Sequence, residues 1–136
     1  MPSEVIRKVG VAIFKNKKVL LARSKKNAEV FYLPGGKYQL GETDMECMQR
    51  ELKEELGTIA IYDTIKYLNE FRGVAHNKGA NTKLYSKLYT CKLITEPKAC
   101  SEIAEIKYFD STIDAKHKSV LGEKIIKWLK ENDYIN

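Results

Sequence analysis

The chain has 136 residues, 43% of them hydrophobic and 31% charged, and a net charge of +6 from 24 Lys+Arg against 18 Asp+Glu. That length suits one domain with a core of its own, and the composition excludes a disordered tail, a collagen-like chain and a long coiled coil. The longest apolar runs, such as Val19-Leu20-Leu21-Ala22, fall far short of the roughly 18 residues that a membrane span needs. Val9, Val11 and Ile13 alternate with smaller or polar residues, the period of a strand. Asn16-Lys17 marks a turn into a second strand over 18–23. A short apolar segment, 31–33, is stopped by Pro34-Gly35-Gly36, which reads as a loop.

Residues 43–56 read as the first helix. Thr43 and Glu46 fit a capping box, in which each side chain satisfies the other's free backbone donor. Gly57 tolerates the left-handed conformation past a helix end. Met45, Met48, Leu52 and Leu56 are spaced for one apolar stripe. Residues 59–71 alternate again as a strand, 73–82 form a polar loop or hairpin tip, and 83–94 form another strand ended before Pro97. Glu102 and Glu105 fall in the loop leading to a short last strand at Ile106 and Tyr108. A second helix over 119–132 carries Leu121, Ile125 and Trp128 on one side. The whole reads as an α+β fold, a mixed sheet with two main helices, with residues 1–136 as one domain.

The charge is unevenly spread. Between Gly36 and Thr58 six acids face three bases, which leaves the rest of the chain nine charges positive. A basic body attracts polyanions, and a carboxylate cluster suits a divalent cation; together they suggest phosphates. On the first helix Glu51, Glu54 and Glu55 share one face by their spacing. Crowded like charges cost stability, and a hard cation would neutralise them. Arg50 can fork onto a carboxylate to orient it, and Glu42 can do similar work from just before the helix. Gly35 and Gly36 permit close backbone approach, the Gly36 carbonyl is a further candidate ligand, and Lys37 stands ready as a point charge for a phosphate.

Gly36, five residues, Glu42, seven residues, then Arg50-Glu51-Leu52-Lys53-Glu54-Glu55-Leu56-Gly57: this pattern resembles the Nudix box. The box covers about a sixth of the chain, and Leu33-Pro34-Gly35-Gly36-Lys37 leading into it looks like the MutT-type branch. One position departs: Thr58 stands where an aliphatic residue is usual, and Ile59 is expected to take over its packing. The resemblance implies an α/β/α sandwich and a metal-dependent hydrolase of a nucleoside diphosphate derivative. The favoured substrate is a nucleoside triphosphate, plain or oxidised, cleaved to monophosphate and pyrophosphate. A dinucleoside polyphosphate, ADP-ribose, a nucleotide sugar and a non-catalytic nucleotide sensor are the alternatives. It implies Mg²⁺ or Mn²⁺ on Glu51, Glu54, Glu55 and the Gly36 carbonyl, with Glu102, or in its place Glu105, as a distal ligand. Glu51 and Glu54 are the candidate catalytic bases, with Arg50 and Lys37 beside them. A homodimer is a common assembly in such a family.

Other residues admit two roles each. Arg23 can touch a phosphate or lie solvated; Phe31 or Tyr32 can stack on a base or fill the core. Tyr85 and Tyr89 share a strand face and can line a pocket or pack. His76 and His117 carry no spacing that marks a catalytic base, and Cys47, off the acidic face, reads as packing. Nucleic-acid motifs are absent, although RNA 5′ ends are a conceivable substrate. The start, Met-Pro-Ser-Glu, shows no signal peptide, and Cys47, Cys91 and Cys100 have no zinc or disulfide spacing. A reducing cytoplasm is the expected compartment, with a small nucleotide as partner and no membrane.

Overall fold

The first strand, β1 (Glu4–Ala12), organises the molecule; the structure, a computed structural model, describes residues 4–27, 29–74 and 82–136. β2 (Phe14–Lys15) and β3 (Lys18–Ser24) follow across the turn at Asn16 and Lys17, both in the left-handed region. After β4 (Gly35–Lys37) comes the helix α1 (Asp44–Leu56), then β5 (Lys66–Val74), β6 (Thr82–Thr90), β7 (Ile103–Phe109) and the helix α2 (Val120–Glu131). Four strands form a mixed sheet in the order β4-β1-β6-β5, with β1 parallel to β6 and the other pairs antiparallel. A second, antiparallel sheet runs β2-β3-β7.

Both sheets lie in one layer between the two helices. Along β3, Val19 and Leu21 join the core under α2, while Leu20 joins the core under α1. That double burial explains the unbroken apolar run 19–22: a strand covered on both faces needs no polar side. Under α1, Met48, Leu52 and Leu56 are fully buried against Val9 and Val11, as the stripe predicts. Under α2, Ile125, Ile126 and Leu129 pack on Ala12, Phe71 and Leu88. Among the described residues no helix is long and apolar enough to cross a membrane.

Five sequence expectations are corrected. Gly35 and Gly36 belong to strand β4, hydrogen-bonded along β1 with Gly35 opposite Gly10 and Gly36 opposite Val9. Gly35 has φ 134°, and a Cβ there would stand 2.0 Å from the Val9 carbonyl oxygen, so glycine is what lets the strand approach. The alternating stretch 59–71 is not one strand. Ile59 and Ile61 are exposed, Ala60 makes only an isolated bridge to Leu93, and a 3₁₀ turn at Tyr62–Thr64 precedes β5. Thr58 does its own packing: it is buried, and its hydroxyl accepts from the Thr95 hydroxyl at 2.8 Å and the Thr95 N–H at 3.2 Å, while Ile59 is 38% exposed. Finally, Glu105 lies inside β7, and β6 ends at Thr90 rather than reaching Ile94. The polar tip containing His76 lies largely outside the described residues.

Candidate active site

α1 starts and stops where its side chains say it should. Thr43 caps it, accepting from the Glu46 N–H, while Glu46 returns the bond to the Thr43 N–H at 3.0 Å. Gly57 ends it at φ 67°. With Leu52 and Leu56 pinned to the core, Glu51, Glu54 and Glu55 are carried along the flank facing β4 and the turn before β7.

Arg50 gathers the acids. Its guanidinium donates to both oxygens of Glu42, at 2.7 and 2.9 Å, to Glu51 at 2.8 Å and to Glu54 at 3.3 Å. It also donates to the Lys37 carbonyl at 3.0 Å. The forked bond to Glu42 is the strong geometry for a guanidinium and a carboxylate. It holds Glu42 well below the usual carboxylate range, at about 2, helped by the Gln39 N–H. Glu51 behaves oppositely: burial raises it, and the Arg50 contact only partly offsets that. Its carboxylate lies on Gly36, where a Cβ would meet all three carboxyl atoms at 2.7 Å.

Glu55 is the deepest of the three. Its carboxylate accepts the Gly35 N–H at 2.9 Å. Burial pushes it up to about 7, against the Gly35 bond and with the charge of Glu51 adding to the rise. Burial thus disfavours the charged form of both Glu51 and Glu55.

The other expected residues scatter. Lys37 is exposed beside Arg7 and Tyr38. Arg23 is tied to Glu105 through Nε at 2.7 Å, so a strand-end arginine and a candidate distal ligand neutralise each other. Glu102 is exposed in the turn before β7. That turn is fastened to the end of α1, because the Cys100 N–H donates to the Glu55 carbonyl, and Ile103 borders the same cavity as Glu55. Phe31 is buried, edge-on to Phe109 and to His117, yet it borders the apolar cleft next to α2; Tyr32 is 42% exposed at the same cleft. Tyr85 lies between Arg72 and Arg7, whose guanidinium carbons stand 4.3 and 5.2 Å from its ring centre. Its neighbour Ser86 lines the cleft instead, as strand alternation requires. Tyr89 donates to Asp44. His117 donates from Nδ1 to the Glu29 carbonyl, since that oxygen can only accept. Cys47 is fully buried, as a packing residue.

Lys8 is the residue that the sequence reading missed. It sits half-buried on β1, directly opposite Lys37, and lines both the apolar cleft and the adjoining cavity that holds Glu55. Two adjacent bases, Arg7 and Lys8, must point to opposite faces of the strand, and that was the available signal.

The donors suit a hard divalent cation: carboxylates of Glu51, Glu54 and Glu55 and the carbonyl of Gly36, all oxygen. The Gly36 cradle and the lack of a cation paired with Glu55 among the described residues both favour one. Among the described residues, however, no three acidic, His or Cys side chains stand close enough together to ligate one ion as they lie. Arg50 engages Glu51 and Glu54, and Gly35 engages Glu55.

Comparison with known proteins agrees with this geometry. Residues 5–129 match the model of the NUDIX domain. The chain is 30% identical over 109 residues to the m7GpppN-mRNA hydrolase of Saccharomyces cerevisiae, covering 74% of this chain; it spans about a tenth of that relative's length. A nudix hydrolase family member from Chromobacterium violaceum is 26% identical, with TM-score 0.73 over 96% of this chain and 80% of the other. The MutT protein of Methanosarcina mazei shares the fold, at 17% identity and TM-score 0.78 over 97% of each chain. The glutamate face of α1, the glycine strand against it and the match over nearly the whole length agree: the chain belongs to the Nudix family.

Proposed function

We propose that this chain is a metal-dependent hydrolase that cleaves the diphosphate linkage of a nucleoside diphosphate derivative. The favoured substrate is a nucleoside triphosphate, plain or oxidised, released as monophosphate and pyrophosphate. One observation carries the reading: Arg50 holds Glu51 and Glu54, the Gly35 N–H holds Glu55 and Glu51 lies on Gly36, beside a cavity that shares Lys8, Tyr32, Leu33 and Gly35 with an apolar cleft. Glu51, Glu54, Glu55 and the Gly36 carbonyl would hold Mg²⁺ or Mn²⁺, with Glu102 as distal ligand. Such an ion supplies charge neutralisation at phosphate oxygens and makes water a better nucleophile. Glu51 or Glu54 takes the proton of the attacking water. Arg50 holds these carboxylates in place through its bonds to both. Lys37 meets an outer phosphate from its exposed position on β4. Phe31 borders the cleft that takes the nucleoside, and Arg23 lies at the rim beside it; Tyr85, on the other strand face from Ser86, takes no part.

A second substrate class, 5′-capped RNA, is favoured by the likeness to the yeast m7GpppN-mRNA hydrolase. The net charge of +6 suits a polyanion of that kind. The test is phosphate, pyrophosphate and nucleotide release with Mg²⁺ over plain and 8-oxo nucleoside triphosphates, ADP-ribose, a nucleotide sugar, a dinucleoside polyphosphate and a capped RNA, with Glu54→Gln as blank. Hydrolysis that disappears in the blank supports the reading and names the substrate. Hydrolysis that survives in the blank overturns the site, and silence over the whole panel overturns the activity.

A further inference from the structure

We propose, given the hydrolase reading above, that Lys8 binds a non-bridging oxygen of the phosphate that remains attached to the nucleoside after cleavage. The position is the first reason. Lys8 borders the apolar cleft, with Leu21, Phe31 and Ile125, and also the adjoining cavity, with Gly35, Glu55 and Ile103. The flat face of a nucleobase suits the first space, and a diphosphate suits the carboxylate end once a cation is held there. The group between them is the phosphate nearest the sugar, which puts an anion beside Lys8.

The electrostatics are the second reason. Lys8 faces Lys37 across β1 and β4, so the two cations share one sheet face. Like charges directly opposed cost stability. Among the described residues no carboxylate pairs with the Lys8 ammonium within the 4.0 Å of an ion pair. Burial lowers its pKa, the neighbouring Lys37 adds to that, and the more distant Glu55 and Glu51 oppose it. A half-buried ammonium with three donors and no close anion is matched by a phosphate oxygen. Lys37, exposed on the outer side, is available to a phosphate farther along the chain.

The test is equilibrium binding with saturating Mg²⁺ of guanosine, GMP, adenosine and AMP to the wild type, Lys8→Met and Lys8→Arg. None of these ligands contains a diphosphate to cleave. The wild type is expected to bind a monophosphate at least about tenfold more tightly than its nucleoside, the scale of one hydrogen bond to a charged group. Lys8→Met should bind the two alike, and Lys8→Arg should keep most of the preference. Thermal melts of both variants report whether they fold, and Lys8→Arg still reads the effect if Lys8→Met does not. A Lys8→Met protein that keeps the phosphate preference overturns the assignment. So does one that loses nucleoside and monophosphate equally, which points to a base contact or a packing role. A wild type that binds none of the four, or binds them without phosphate preference, overturns the assignment; the hydrolase reading is overturned only by silence over the substrate panel above.

Discussion

The two ends of α1 treat their acids in opposite ways. At the start, Asp44 accepts from the Tyr38 hydroxyl at 2.7 Å, from the Tyr89 hydroxyl, and from the Lys87 ammonium at 3.2 Å. Burial pushes Asp44 up, but these donors outweigh it and hold it below its ordinary value. It also lies in the first helical turn, where the helix dipole favours a negative charge. At the other end Glu51, Glu54 and Glu55 share one guanidinium and one backbone N–H, and both Glu51 and Glu55 are raised. A carboxylate surrounded by donors is there for the fold. Carboxylates left short of donors, in a place where they repel each other, cost the fold something and fit a task that requires a cation.

The largest way to break this comparison is to remove the stripe that carries both ends. Leu52 is wholly buried, so Leu52→Asp places an unpaired charge in the core and should cost about 4 kcal/mol or more. The expected outcome is loss of a cooperative unfolding transition in thermal or urea melts. Next is Glu54→Gln. Glu54 is half exposed and, among the described residues, is hydrogen-bonded to Arg50 alone, so the melt should hardly move, while hydrolysis should fall about a hundredfold or more. Near-normal turnover would place the chemistry elsewhere.

Glu55 sharpens the comparison through pH. Its folded pKa is about 7 against an ordinary 4.5, so the folded state binds this proton more tightly than the unfolded chain. Its contribution to stability is therefore complete below about pH 4.5 and is lost as pH rises through about 7, a loss of about 3 kcal/mol. Melts in EDTA over pH 4.5–8 should show that decline, and Glu55→Gln or added Mg²⁺ should flatten it. A decline unchanged in Glu55→Gln would assign it to another group. The smallest effect belongs to Asp44→Asn. It leaves at least one of three donors without an acceptor and should cost about 1 to 2 kcal/mol of stability with kcat nearly unchanged. A large drop in kcat instead would mean that the two ends of α1 are coupled.

Much of the site was legible because it is local. Glu51, Glu54 and Glu55 share a face through helical spacing alone, and Thr43, Glu46 and Gly57 mark where that helix starts and stops. The reading failed where long-range partners decide. Gly35-Gly36 looked like a stop signal, yet β1 supplies the hydrogen bonds that make it a strand. Ile59 and Ile61 alternate correctly but have no second layer to cover them. Glu105 looked like a loop acid, yet it lies in β7 opposite Arg23 and pairs with it.

The two helices, the carboxylate face and the family can be read from the residues alone, because those depend on spacing along one segment. That a glycine strand lies against Glu51 and that one lysine of β1 enters the cleft beside Glu55 follow only from how the chain packs. Those are contacts between residues far apart in the chain, set by which strands pair and in what register, and no local pattern encodes them.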